Sequence, residues 1–145
     1  MPFLRAGWLL VAHLFRQTNP PPPAPPLPVT LVLTNLPSPT AAVKLNFYDS
    51  AASFLRPGQA AQHATVLPPQ RTARLQVSLA PGSWAIALAQ DTNGNVRMDR
   101  NWLGIPTEPY AFSNDVRPRF KALGFAECAV RVTTAGQVIT ILFPD

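Results

Sequence analysis

Apolar and polar positions alternate with a period of two along most of the chain beyond residue 28. Val29, Leu31 and Leu33 fall on one side of an extended segment, with Thr30 and Thr34 on the other. Val43, Leu45 and Phe47 alternate with Lys44, Asn46 and Tyr48, and Ala73, Leu75, Val77 and Leu79 with Thr72, Arg74, Gln76 and Ser78. Near the end, Cys128, Val130 and Val132 oppose Glu127, Ala129 and Arg131, and Ile139, Ile141 and Phe143 mark the core face of a last strand over 138–143. Successive side chains of a strand point to opposite faces, so each run predicts a strand with one buried face. Ala64–Leu67 reads as a further short strand in a proline-punctuated segment.

The run from Ser83 to Gln90 departs from this rule. Trp84, Ile86 and Leu88 are large, while Ala85, Ala87 and Ala89 are small but still apolar. A strand without a polar face is central in its sheet or covered on both sides. Proline and glycine at Leu36-Pro37-Ser38-Pro39, Ala80-Pro81-Gly82-Ser83 and Thr134-Ala135-Gly136 supply turns. Asp49-Ser50 is placed to cap a short helical turn over 51–55. Six to seven strands without a helical period predict an all-β fold, an antiparallel β-sandwich with Greek-key connections. A small barrel is the alternative. The long loop lies between strands four and five of this count.

Composition adds a leader to that domain. Residues 1–19 contain Arg5 followed by the apolar run Ala6–Phe15, of signal-peptide length but too short to span a bilayer. This reading gives a secreted or periplasmic protein with no stable membrane span. Residues 20–28 are proline-rich, a stiff polyproline II linker, and residues 29–145 form the β-sandwich domain. The net charge is +5, but the basic residues are scattered, with no run and no aromatic interleaving, which argues against nucleic acid as a partner. The single cysteine, Cys128, excludes an internal disulfide and a cysteine zinc site and reads as a small core hydrophobe. His13 and His63 leave little material for a Ser-His-Asp or Cys-His centre, so a non-catalytic protein is expected.

The candidate chemistry lies in the long loop Gln90–Asn114. Asp91, Asn93, Asn95 and Asp99 stand at offsets 1, 3, 5 and 9, the oxygen-donor spacing of an EF-hand-like calcium loop. Val96 stands where that loop needs glycine, Trp102 replaces its bidentate glutamate, and Arg97 and Arg100 offset the carboxylates. The other reading is a turn closed by its own Asx side chains. Trp102, Tyr110 and Phe112 either present stacking faces to a glycan or peptide or pin the loop over the sandwich. A hydrolase working through Asp91, Asp99, Glu108 or Asp115 is the least supported reading.

The turn Pro81-Gly82, the pattern Asp91, Asn93-Gly94-Asn95, Asp99, and the run Leu103-Gly104-Ile105-Pro106, Glu108, Tyr110, Phe112-Ser113-Asn114 resemble an uncharacterised bacterial family, domain of unknown function 2141. The resemblance spans about Val29 to Phe143. It implies an exported protein with a prealbumin-like sandwich, and it carries no catalytic residues.

Overall fold

The computed structural model describes residues 18–99, 106–118 and 121–145. Within them the chain forms β1 (Leu27–Thr34), β2 (Val43–Tyr48), β3 (Gln62–Val66), β4 (Ala73–Leu79), β5 (Gly82–Gln90), β6 (Tyr110–Phe112), a 3-10 turn (Ser113–Asp115), a one-turn helix α1 (Phe125–Cys128), β7 (Ala129–Val132) and β8 (Gln137–Leu142). Two sheets face each other, one in the order β4-β1-β8, the other β3-β2-β5-β6 with β7 also on β5. The leader expected over 1–19 falls almost wholly outside the described residues. Residues 20–26 are extended and exposed, as proline's fixed φ dictates. Among the described residues no helix is long and apolar enough to cross a membrane.

The alternation builds the core between the sheets. Val29, Leu31 and Leu33 of β1, Val43, Leu45 and Phe47 of β2, and Ile139 and Ile141 of β8 are buried there with Phe143. Trp84, Ile86 and Leu88 join them from β5. That strand is central, with β2 on one side and β6 and β7 on the other. The turn at Pro81-Gly82 carries the chain from one sheet to the other. Gly82 takes φ 141 there, and the Trp84 indole N–H closes the corner on the Ala80 carbonyl at 2.8 Å. A side chain at position 82 would be strained in this conformation.

Three features differ from the sequence expectation. The described residues hold eight strands, because β6 is three residues long and too short to show a period. β3 sits at Gln62–Val66, set by its pairing with β2 rather than by its own weak pattern. β1 and β8 pair in parallel, which the otherwise antiparallel pattern does not reveal. Parallel neighbours need a long connection, and the first and last strands have the whole domain between them.

β6 and β7 lie end to end along one edge of β5. β6 pairs with Ala87–Ala89 and β7 with Gly82–Ala85, which leaves Ile86 opposite the gap. Ser113 fills it. Its Oγ accepts the Ile86 N–H at 2.9 Å and donates to the Cys128 carbonyl. Asn114, at φ 62, donates to the Ala129 carbonyl at 2.8 Å, and Asp115 accepts the Leu142 N–H at 2.8 Å. Three consecutive side chains thus reach β5, β7 and β8. The Phe-Ser-Asn part of the second motif is a clamp on the strands.

Candidate functional site

The pleat of the five-stranded sheet sets the site. Side chains that do not enter the core point outward, and cross-strand pairing lines them up. Asn46 of β2 stands opposite His63 of β3 and Ala87 of β5, Lys44 opposite Ala89, and Tyr48 opposite Ala85. Phe112 and Tyr110 of β6 flank Ala87 and Ala89. The Asn46 Oδ1 and His63 Nδ1 lie 2.7 Å apart.

One half of this outer face is covered. Tyr48, Phe54, Ala85, Phe112 and Cys128 form a second apolar cluster, with Tyr110, Val116, Leu123 and Phe125 packed against it. Phe54 meets Tyr48 and Phe125 edge to face at 5.5 and 6.1 Å. Burial, aided by the charge of Glu127, pushes the Cys128 thiol up to about 11, so the thiolate form is suppressed. Burial also raises the Tyr48 phenol, against the bond from Asn46.

The other half is open. Alanine at 87 and 89 leaves space that larger side chains would fill, and the result is a cleft of about 440 Å³. Lys44, Asn46 and His63 form one side of its floor. Leu55–Gly58 and Ala60, from the segment after β2, and Asp91, Val96–Met98, Pro106 and Glu108, from the segment after β5, line it as well. β2 and β5 run antiparallel, so these two segments leave the sheet at opposite ends of the paired strands and face each other across the floor. Three of the exposed large apolar side chains of the described residues sit on these opposed walls: Leu55 at 43% exposure, Val96 at 73% and Met98 at 41%.

Two of the three are held in left-handed backbone, Leu55 at φ 57 and Val96 at φ 65. For a β-branched residue this is an outlier, with an energetic cost of roughly 1–2 kcal/mol. Strain of this kind concentrates where a side chain must be presented. Replacing Val96 with glycine is expected to raise stability by about 0.5–1 kcal/mol, since relief of strain exceeds the entropy glycine loses on folding. A melting temperature that stays level or falls in Val96→Gly would show that the backbone there is unstrained.

The acidic turn is organised from inside. Asp91 follows β5 directly, and its N–H bonds the Ala42 carbonyl at 2.9 Å. Its Oδ2 accepts the Val96 N–H at 2.8 Å and lies 3.5 Å from the Lys44 ammonium. The side-chain oxygens of Asn93 and Asn95 accept the N–H groups of Asn95 and Arg97 at 3.1 and 2.9 Å. Both side-chain amides then donate to Asp99, that of Asn95 at 2.7 and 2.9 Å. The structure therefore brings Asp91, Asn93, Asn95 and Asp99 into one turn, closed by Asx bonds. Among the described residues no group of three or more His, Cys, Asp or Glu side chains stands at metal-ligand spacing. Trp102 lies outside the described residues. Tyr110 and Phe112 contact each other edge to face at 5.8 Å beside the second cluster, and Phe112 also borders the cleft.

Glu108, outside the calcium-loop spacing but grouped by the sequence with Asp91, Asp99 and Asp115 as carboxylates of one loop, is the neighbour of Asp91 here. It is 5% exposed and Asp91 7%, and both line the cleft. Asp91 Oδ1 and Glu108 Oε1 are buried and have no hydrogen-bond donor among the described residues. Burial raises the Glu108 carboxyl, and the charges of Asp91 and Asp99 and a hydrogen bond shared with the Asp91 side chain raise it further, against a bond from the Asp99 N–H. For Asp91, burial pulls upward but is outweighed by the Val96 N–H, the Lys44 ammonium and the Gly94 N–H, which hold it below the ordinary aspartate value.

The two shifts act in opposite directions. The raised Glu108 contributes stability that is complete below its unfolded pKa and lost as pH rises through its folded one. The lowered Asp91 contributes stability that is present above its unfolded pKa and lost as pH falls through its folded one. Melting temperature should therefore fall on the alkaline side of the Glu108 transition, and Glu108→Gln should flatten that decline. An unchanged profile in the variant would assign the decline to another group.

A family model described as "Uncharacterized protein conserved in bacteria (DUF2141)" matches residues 31–140. No curated protein and no solved structure matches the chain.

Proposed function

The chain belongs to the uncharacterised bacterial family DUF2141, and on that premise we propose that it is a non-catalytic binding module that takes a small apolar or amphipathic molecule into the cleft over Ala87 and Ala89. The observation that carries this reading is the pair of strained, exposed side chains, Leu55 and Val96, on opposite walls of that cleft. A strained and exposed valine is disfavoured for stability alone, and a ligand that covers it recovers apolar burial of about 25 cal/mol per Å². A concave, mostly apolar site with a few polar groups is the usual form of a small-molecule pocket.

The test is binding of Nile red, a neutral apolar fluorophore, to the full chain. Its emission should rise and shift to the blue with wild type. Ala87→Leu, which puts a larger side chain on the cleft floor, should remove the response with little change in melting temperature. Equal binding by Ala87→Leu would place the probe elsewhere and end the proposal.

A further inference from the structure

Resting on that reading, we infer that the cleft's ligand carries a positively charged head, a primary ammonium on an apolar body, and that Asp91 Oδ1 and Glu108 Oε1 receive it. Both atoms are buried at the cleft wall without a donor among the described residues, and the two carboxyl groups lie within hydrogen-bond reach of each other. A buried acceptor left unpaired costs roughly 1–3 kcal/mol, more when charged. A proton shared between the two carboxyls relieves it, and so does a bound donor, which leaves both groups ionised. Glycan hydroxyls would supply donors but no charge, and a fatty carboxylate would bring a third anion to the pair.

The cleft lining carries three cations, Lys44, Arg56 and Arg97, against the carboxylates of Asp91 and Glu108, so it is the two open oxygens, not the net charge of the cleft, that suit a cation. Asp99 of the same turn adds a carboxylate near Glu108. Lys44, on β2, is the facing cation, and it approaches the other oxygen of Asp91, Oδ2, at 3.5 Å. Oδ1 remains open. Arg56 and Arg97 line the cleft as well, and both are exposed. An ammonium offers three N–H donors, two of which suit the two open oxygens, with the third left for water. Its alkyl chain would then run over Ala87 and Ala89 between Leu55 and Met98. No proton or bond need be exchanged.

The experiment compares octylammonium, octanoate and calcium chloride as competitors of Nile red on the full chain at neutral pH, with calorimetric titration of each alongside. Octylammonium should compete at a concentration about tenfold lower than octanoate, the effect of one charge-assisted pair of hydrogen bonds. Glu108→Gln should bring the two affinities, read by calorimetric titration, close to parity. Equal potency of octylammonium and octanoate on wild type would overturn the inference and leave the cleft reading intact. Calcium binding without octylammonium binding would also overturn it, in favour of a metal at the same oxygens. If Nile red fails to bind, the cleft reading falls, and the calorimetric preference for octylammonium still decides the charge of the ligand.

Discussion

Replacing Ser113 with alanine should lower stability by about 2–4 kcal/mol, measured as a reduced midpoint of urea unfolding at unchanged slope. The hydroxyl is wholly buried and serves two backbone groups, the Ile86 N–H and the Cys128 carbonyl. Both belong to the seam where β6 gives way to β7 along β5. Alanine would leave a buried donor and a buried acceptor unpaired, at roughly 1–3 kcal/mol each, with little cavity to offset by collapse. Water has poor access, since Cys128 and Ala85 beside the seam are fully buried. A loss below about 1 kcal/mol would mean that the seam rearranges to pair these groups without Ser113.

Gln90→Leu should cost a similar amount, about 2–4 kcal/mol, and should also loosen the site. Gln90 is fully buried at the end of β5. Its Oε1 accepts the Ser38 N–H at 2.9 Å, and its Nε2 donates to the carbonyls of Ser38 and Ala41 at 2.7 and 2.9 Å. Leucine keeps most of the volume and removes all three bonds. The adjoining Ala42 carbonyl receives the Asp91 N–H, so the loop and the root of the acidic turn are held together. Amide exchange at Ser38 and Asp91 should accelerate together in the variant, with Nile red binding weakened in step. Faster exchange at Ser38 alone would show that the turn is anchored independently.

The strands that face the core were legible because a half-buried strand writes its two faces as a period of two. The same parity marked Gln90 as inward, two positions beyond Leu88, but nothing in the residue type says that a polar side chain there will bind a loop 50 positions earlier. The apolar face of Ala85, Ala87 and Ala89 signalled a strand covered on both sides. It does not say that one half is covered by Phe54, Phe112 and Phe125 while the other opens as a cleft. That division depends on long-range pairing, as do the parallel join of β1 to β8 and the end-to-end placement of β6 and β7.

The site was legible in part. Asx residues at short offsets do converge, because each can bond an N–H two residues on, and the turn Asp91–Asp99 is the result. Glu108 joins Asp91 through the return of the chain into β6; their closeness in sequence allowed that meeting, but not which of the loop carboxylates would meet. Val96 held the plainest unused signal. Its position in the turn calls for glycine, and a valine there implied a strained backbone presenting an apolar side chain.

On the proposed reading the outer face of the five-stranded sheet is a binding cleft. Amide chemical-shift mapping of the full chain during a Nile red titration tests it most directly. Saturable shifts should be confined to the cleft, centred on Asn46, Ala87, Ala89 and Val96–Met98, and should be absent in Ala87→Leu. Shifts spread over the opposite sheet, or equal shifts in the variant, would contradict it.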